Sequence, residues 1–408
     1  MPLDYGDGIY GSGLYGGLDG VPYPLAPGVI VEWYSNTKTY KGAFQSGVGD
    51  FLGCDFIISE SGPESFTLYF AKSVGILKRD IIKIRLFGSE DYFFSGVVRT
   101  VPIDGSTKQE YNYAGFGLYD YVTRINTEIL SYANKTIAYI IEDILSDHIM
   151  AKSPIERVAS NIDPPDITIV SFEGNYSSAS DVIDALLKIA NSAGDYVCGV
   201  DQNNAFFFRP RSTETKVTLT VGKKGIYGID SYEPEDSYEA ASKFFVLDKD
   251  GAFVTTVTTS EDNDIMEEKL TAPDIDNTSI VAWANGILAE KEINTRSASI
   301  VWPIEKIDPM LLLADGYIRI ISNVPPTNTA PLNPNPFGSG PFGSGIFGGG
   351  QYTGKDIDDT LKIVEVSYTV NSSEATRSIQ LGALPARLED KVLEIRKNLS
   401  DLRVSLGR

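Results

Sequence analysis

Ile81-Ile82-Lys83-Ile84-Arg85-Leu86-Phe87, the cluster Gly88-Ser89-Glu90-Asp91, and then Tyr92-Phe93-Phe94-Ser95-Gly96-Val97-Val98 decide the fold class. Two short runs of β-branched and aromatic residues flank a turn-forming cluster, the pattern of successive strands. The same grammar extends outward. Phe56-Ile57-Ile58 and Ser65-Phe66-Thr67-Leu68-Tyr69-Phe70 lie upstream, Glu110-Tyr111-Asn112-Tyr113 downstream, with Ser61-Gly62-Pro63 and Pro102-Ile103-Asp104-Gly105-Ser106 as turns. From Gly28 to about Arg124 the chain predicts a small barrel or sandwich.

Two helices with apolar stripes follow, over Thr136–Ile149 and Ser180–Ala193. The first carries Ile137, Ile140, Ile141, Ile144 and Leu145 on one face, the second Val182, Leu186, Ile189 and Ala190. Ile167–Phe172 reads as a strand between them. Tyr196–Asp201 and Ala205–Pro210 read as strands joined by the turn Asp201-Gln202-Asn203-Asn204. The middle of the chain is thus an α+β unit. Strand patterns resume at 217–221, 243–247 and 253–257, with Asp248-Lys249-Asp250-Gly251 as a hairpin turn. A helix is expected over Thr278–Asn294. Ser297–Pro303, Tyr317–Ser322 and Leu361–Val370 predict a second barrel.

The expectation is a β-rich α+β chain with two small β-barrels packed with an α+β domain, Gly-rich arms and a C-terminal helix. Its parts are an arm (1–24), a first barrel (25–128), an α+β domain (129–212), a second barrel region (213–382) and a heptad helix (383–408). The second barrel region includes the helix at 278–294 and an insertion at 325–355. Tyr10 and Tyr15 sit in the aromatic–Gly arm, Phe337, Phe342 and Phe347 in the insertion. Gly at that density is costly to hold in an element interior. These segments are therefore either linkers or arms that rest by their rings on a neighbour. Leu388, Val392, Ile395, Leu399 and Leu402 step by four and three, a heptad stripe suited to pairing with its own domain, a second copy or a partner.

A net charge of −20 over 408 residues opposes a duplex-DNA-holding role, which requires cations against phosphate. It suits a solvated surface, or a passage along which DNA slides without sticking. Cys54 and Cys198 have no metal-ligand spacing and read as two buried thiols. The opening residues MPLDYGDGIYGSG lack a basic, apolar signal, and no apolar run reaches a membrane span, so synthesis in a cytoplasm without membrane insertion is expected.

Chemistry is not legible. His148 is the one histidine, in a polar helix tail, and reads as a solvated side chain. The carboxylates around Asp262, Asp264, Glu267 and Glu268 and at Asp356, Asp358 and Asp359 read as solvated loops, with calcium the next reading. Gly6-Asp7-Gly8-Ile9-Tyr10-Gly11 has phosphate-loop spacing but follows no strand and opens no helix. No catalytic, cofactor or metal residue is assigned, and the chain is read as a non-enzyme.

The order of segments resembles the hub proteins of bacteriophage tails and contractile injection systems. Ser65-Phe66-Thr67-Leu68, then Asp80-Ile81-Ile82-Lys83-Ile84, then Phe94-Ser95-Gly96-Val97-Val98 are similar to that family's first barrel. Tyr113–Tyr121 resembles the strand closing it. The helices at Thr136–Leu145 and Val182–Ala190, with the hairpin after Gly194, resemble the next domain. Leu313-Ala314-Asp315-Gly316-Tyr317-Ile318-Arg319-Ile320 resembles a second-barrel strand, with its Pro lost and its Gly and Asp reordered. The resemblance implies a virion protein of the tail tip: a homotrimer whose barrels form a ring around the DNA and tape-measure channel. Its partners would be further copies of itself, tail-tube and distal tail proteins, a tip or spike protein and the tape-measure protein, with no sequence-specific nucleic acid. Alternatives are a tail-associated cell-wall hydrolase and a receptor- or glycan-binding tail protein.

Overall fold

The computed structural model describes residues 28–86, 89–102, 110–128, 130–174, 178–222, 227–229, 231–236, 243–258, 267–293, 296–304, 313–322, 357–371 and 375–382. The chain begins with β1 (Val29–Tyr34), β2 (Tyr40–Gln45), β3 (Phe51–Ser59), β4 (Gly62–Phe70), β5 (Ile81–Leu86), β6 (Phe94–Thr100) and β7 (Tyr111–Gly117). The middle holds α1 (Tyr119–Arg124), β8 (Leu130–Thr136), α2 (Ile137–Ile144), β9 (Glu156–Ile162), β10 (Thr168–Gly174), α3 (Ala179–Asn191), β11 (Tyr196–Val200) and β12 (Ala205–Pro210). There follow β13 (Thr215–Val221), β14 (Gly228–Ile229), β15 (Glu235–Asp236), β16 (Lys243–Leu247), β17 (Phe253–Thr258), β18 (Glu267–Thr271) and α4 (Asn277–Ile293). The last strands are β19 (Arg296–Pro303), β20 (Tyr317–Ser322), β21 (Asp358–Asn371) and β22 (Ala375–Gly382).

The two barrels expected from the sequence are replaced by one mixed sheet of fourteen strands. Its order is β14-β13-β20-β21-β3-β4-β7-β6-β5-β1-β2, and β22, β19 and β15 branch from β21. The physical reason is the length of β21. Its first residues pair with β20, while Glu365–Val370 are flanked by β22 on one side and β3 on the other. One strand therefore carries the ladder from the last part of the chain into the first. Both parts share one core, in which Phe56 and Phe66 meet Trp302, Tyr368 and Ile379. Phe56 stacks on Tyr368 with ring centroids 4.7 Å apart. The guanidinium of fully buried Arg377 lies 3.4 Å from the Trp302 ring centroid, a desolvated cation–π contact.

A second core joins α2, α3 and α4 to strands of the middle region and to β16 and β17. The helices predicted over 136–149, 180–193 and 278–294 are present, with ends moved by a residue or more, and α2 widens into a π-turn over Leu145–Ile149. The C-terminal helix expected over 383–408 lies outside the described residues. Residues 113–121 do not run as one strand: β7 ends at Gly117 and α1 begins at Tyr119. Residues 243–258 and 267–293 pack in this second core through Phe244, Val246, Ile280, Trp283 and Leu288, beside the helices. Gly286 permits it, because a Cβ there would stand 1.8 Å from the Lys188 carbonyl oxygen of α3. The Asp248 carboxylate accepts from the backbone of Asp250 and Ala252 at 2.9 and 2.8 Å, closing the expected hairpin turn. Cys54 and Cys198 are buried, one in each core.

Asp276 ties α4 to β10. One carboxylate oxygen accepts from the Thr278 and Ser279 backbone at 3.0 Å each, the arrangement of an N-cap. The other accepts from Ser279 Oγ at 2.7 Å and from the Val170 backbone at 3.2 Å. Burial alone would raise its pKa, but the bonds from Ser279, Ser171 and Thr278 outweigh it and hold the carboxyl below its ordinary 3.8. A depressed folded-state pKa adds stability that is complete above the unfolded value and lost as pH falls through the folded one. Asp276→Ala should therefore lower stability by about 1–2 kcal/mol at pH 7, and the gap to the parent should shrink below about pH 4. Urea melts at the two pH values check this.

Candidate functional surface

Strand alternation makes one face of six successive strands, β19-β22-β21-β3-β4-β7, point away from the core. Register places Val301, Ser378, Ser367, Ile57, Ser65 and Phe116 in one row across all six. The next row is Pro303, Thr376, Thr369, Asp55, Thr67 and Ala114. A shorter third row holds Ser299, Gln380, Glu365 and Ser59. Of these sixteen positions eight carry hydroxyls, five are apolar, two are carboxylates and one is an amide, and the three rows contain no lysine or arginine.

The polar groups of this face bond to one another. The Tyr69 hydroxyl donates to Asp55; burial first, and that carboxylate second, push the phenol well above its usual pKa. Ser367 Oγ lies 3.3 Å from Glu365 Oε1, and Gln380 Nε2 donates to Ser299 Oγ at 3.1 Å. At one corner stands Lys362, 3.2 Å from Glu60. Glu60 in turn is 2.7 Å from Arg211, which also bonds Asp195 at 2.9 Å. The cations nearest that corner are thus held by carboxylates.

The corner is also where the two cores join. The Ser61 carbonyl accepts from Val200 N at 3.0 Å. A Cβ on Gly199 would lie 2.0 Å from that carbonyl oxygen, and one on Gly62 2.0 Å from the Val200 oxygen. A Cβ on Gly117 would lie 1.6 Å from the Pro63 oxygen. On the far side of β6, fully buried Ser95 donates to Asn204 at 2.6 Å. The sheet face is therefore carried by a joint of close backbone contacts and buried polar bonds.

The interaction residues predicted from sequence, Tyr10, Tyr15, Phe337, Phe342, Phe347, Leu388, Val392, Ile395, Leu399 and Leu402, lie outside the described residues. His148 lies half-buried in the π-turn after α2. Among the described residues no group of three or more His, Cys, Asp or Glu is placed to hold a metal, and no helix is long and apolar enough to cross a membrane. The hydroxyl-rich face was not recognised in the sequence. Its signal is present as Ser367, Thr369, Thr376 and Ser378 alternating with apolar residues and Arg377, yet adjacency of the strands is needed to make a surface of it.

No family model matches the sequence, and no curated protein matches it. Solved structures do. A tail protein from Neisseria meningitidis MC58 superposes with a TM-score of 0.61 at 9% identity, over 87% of this chain and 96% of that one. The 43 kDa tail protein of prophage MuSo2 from Shewanella oneidensis gives 0.58 at 11% identity, over 86% of this chain and 98% of that one. At such identity the likeness is one of fold, and it extends over nearly the full length of both relatives. By structure, this chain has the fold of phage tail proteins.

Proposed function

We propose that the chain is a structural hub subunit of a phage tail tip, assembling as a homotrimeric ring that joins tail tube to tip. The hydroxyl-rich face from β19 to β7 lines the channel. The observation that carries this reading is the composition of that face. DNA adheres to protein mainly through phosphate contacts with lysine and arginine, and a wide surface offering hydroxyls and Asp55 provides none. The tail-protein fold supports the setting, and the net charge of −20 agrees with it. The aromatic–Gly segments carrying Tyr10, Tyr15, Phe337, Phe342 and Phe347, and the heptad stripe from Leu388 to Leu402, are the contacts to neighbouring copies and to tail-tube, tip and tape-measure proteins. The chain does no chemistry itself and belongs to the virion.

The test combines imaging with charge reversal. Purified full-length chain should form rings with threefold symmetry in electron micrographs, and it should leave peptidoglycan intact. Ser299→Lys with Thr369→Lys places two cations on exposed strand positions, where stability should change by no more than about 1 kcal/mol. Particles built with this variant should assemble but deliver DNA at least about tenfold less efficiently, with partial recovery at higher salt. A monomer under all conditions, clearing of peptidoglycan, or unchanged delivery by the variant would each remove the proposal.

A further inference from the structure

Away from the hydroxyl-rich face, a cavity of about 220 Å3 opens where three distant parts of the chain meet. Asp91, Tyr92 and Phe93 come from the segment before β6, Gln202 and Asn203 from the β11–β12 turn, and Leu313 from the segment before β20. We propose that this cavity is a binding site for one neutral pyranose ring of a saccharide. The proposal is independent of the ring assembly above.

The walls are fixed before any ligand arrives. The Tyr92 hydroxyl donates to Glu32 at 2.7 Å, and the same carboxylate receives Tyr34 at 2.7 Å and Arg85 at 3.0 Å. Burial alone would raise the Glu32 pKa, but these three bonds together hold it below its ordinary value. The ring of Tyr92 is thereby anchored, and the Lys83 ammonium lies 4.8 Å from its centroid. The turn is equally constrained. The Asp201 carboxylate accepts from Asn203 N at 2.8 Å and Ala205 N at 2.9 Å, while Asn204, at φ 72°, is held by Ser95. A site whose groups are positioned by such supports loses little entropy on binding.

The groups left over define the ligand. The side chains of Asp91, Gln202 and Asn203 have no hydrogen-bond partner among the described residues. A carboxylate only accepts, whereas each amide both donates and accepts, which matches adjacent hydroxyls that do both. Tyr92 and Leu313 supply an apolar side for the C–H face of a sugar. The volume is smaller than the roughly 300–1,000 Å3 of drug-sized sites, and so suits one ring. Among the described residues that line the cavity the one charged group is Asp91, which disfavours phosphates and other anions.

Saturation-transfer NMR on the full-length chain would test this with glucose, galactose, mannose and N-acetylglucosamine at about 20 mM, since affinity for a single ring should be millimolar. Tetramethylammonium serves as a cationic control. At least one sugar should receive saturation, and Gln202→Ala and Asn203→Ala, both on a surface turn, should each weaken it by about tenfold or more without altering the melt. Silence from all four sugars, saturation of tetramethylammonium alone, or sugar binding untouched by both substitutions would overturn the assignment.

Discussion

Gly117→Ala is expected to remove most of the soluble, folded protein. Gly117 ends β7, and its added Cβ would stand 1.6 Å from the oxygen and 2.4 Å from the carbon of the Pro63 carbonyl. Both are backbone atoms at the start of β4, so no side chain can swing away to make room. Moving β4 would also shift Ser61, whose carbonyl holds Val200, and Gly62, whose Cβ position is already closed by the Val200 oxygen. Overpacking commonly costs about 1–3 kcal/mol and more where the backbone is rigid, so a loss of about 3 kcal/mol or more is expected here. Gly75→Ala is the matched control, with nothing within 4 Å of its added Cβ; it should lie within about 0.5 kcal/mol of the parent. Equal melting of the two variants would mean that the joint is loose.

Arg211→Met should be the next most damaging change. The Arg211 side chain is 3% exposed, 2.7 Å from Glu60 and 2.9 Å from Asp195. Glu60 belongs to the turn between β3 and β4, Asp195 to the turn before β11, so one guanidinium bridges the two cores. Its removal leaves two carboxylates beside each other, and breaking a buried pair from one side costs about 3–5 kcal/mol. Both carboxylates keep about 30% exposure, and Lys362 still neutralises Glu60. The lower end, about 3 kcal/mol, is therefore expected. Arg319 pairs with Asp358 through two bonds of 2.7 Å, but both partners are about half exposed. Arg319→Met should leave the melt unchanged, because solvent and salt already screen that pair. If Arg211→Met melted like Arg319→Met, the joint would rest on the glycine contacts and on the Ser61–Val200 and Ser95–Asn204 bonds, without the guanidinium.

Local order was readable from local residues. The runs at Ile81–Leu86 and Phe94–Val98, the apolar stripes of α2 and α3, the hairpin around Asp248–Gly251 and the two buried cysteines follow from patterns a few residues long. Such patterns report on nearest neighbours along the chain and on which side of an element is wet. They do not choose a strand's partner. β3 and β21 pair from Gly53–Asn371 to Ser59–Glu365, across about three-quarters of the chain, and nothing in either strand names the other. The expected pair of barrels failed for that reason: each set of strands was assumed to close on itself, whereas β21 joins them. Gly62, Gly117, Gly199 and Gly286 look in sequence like ordinary turn, strand or helix glycines. Only the approach of another backbone shows why a side chain is excluded. The same holds for the face proposed to line the channel. Its hydroxyls stand in alternation along single strands, but their union into rows without lysine or arginine depends on register between strands, which tertiary hydrogen bonding alone sets.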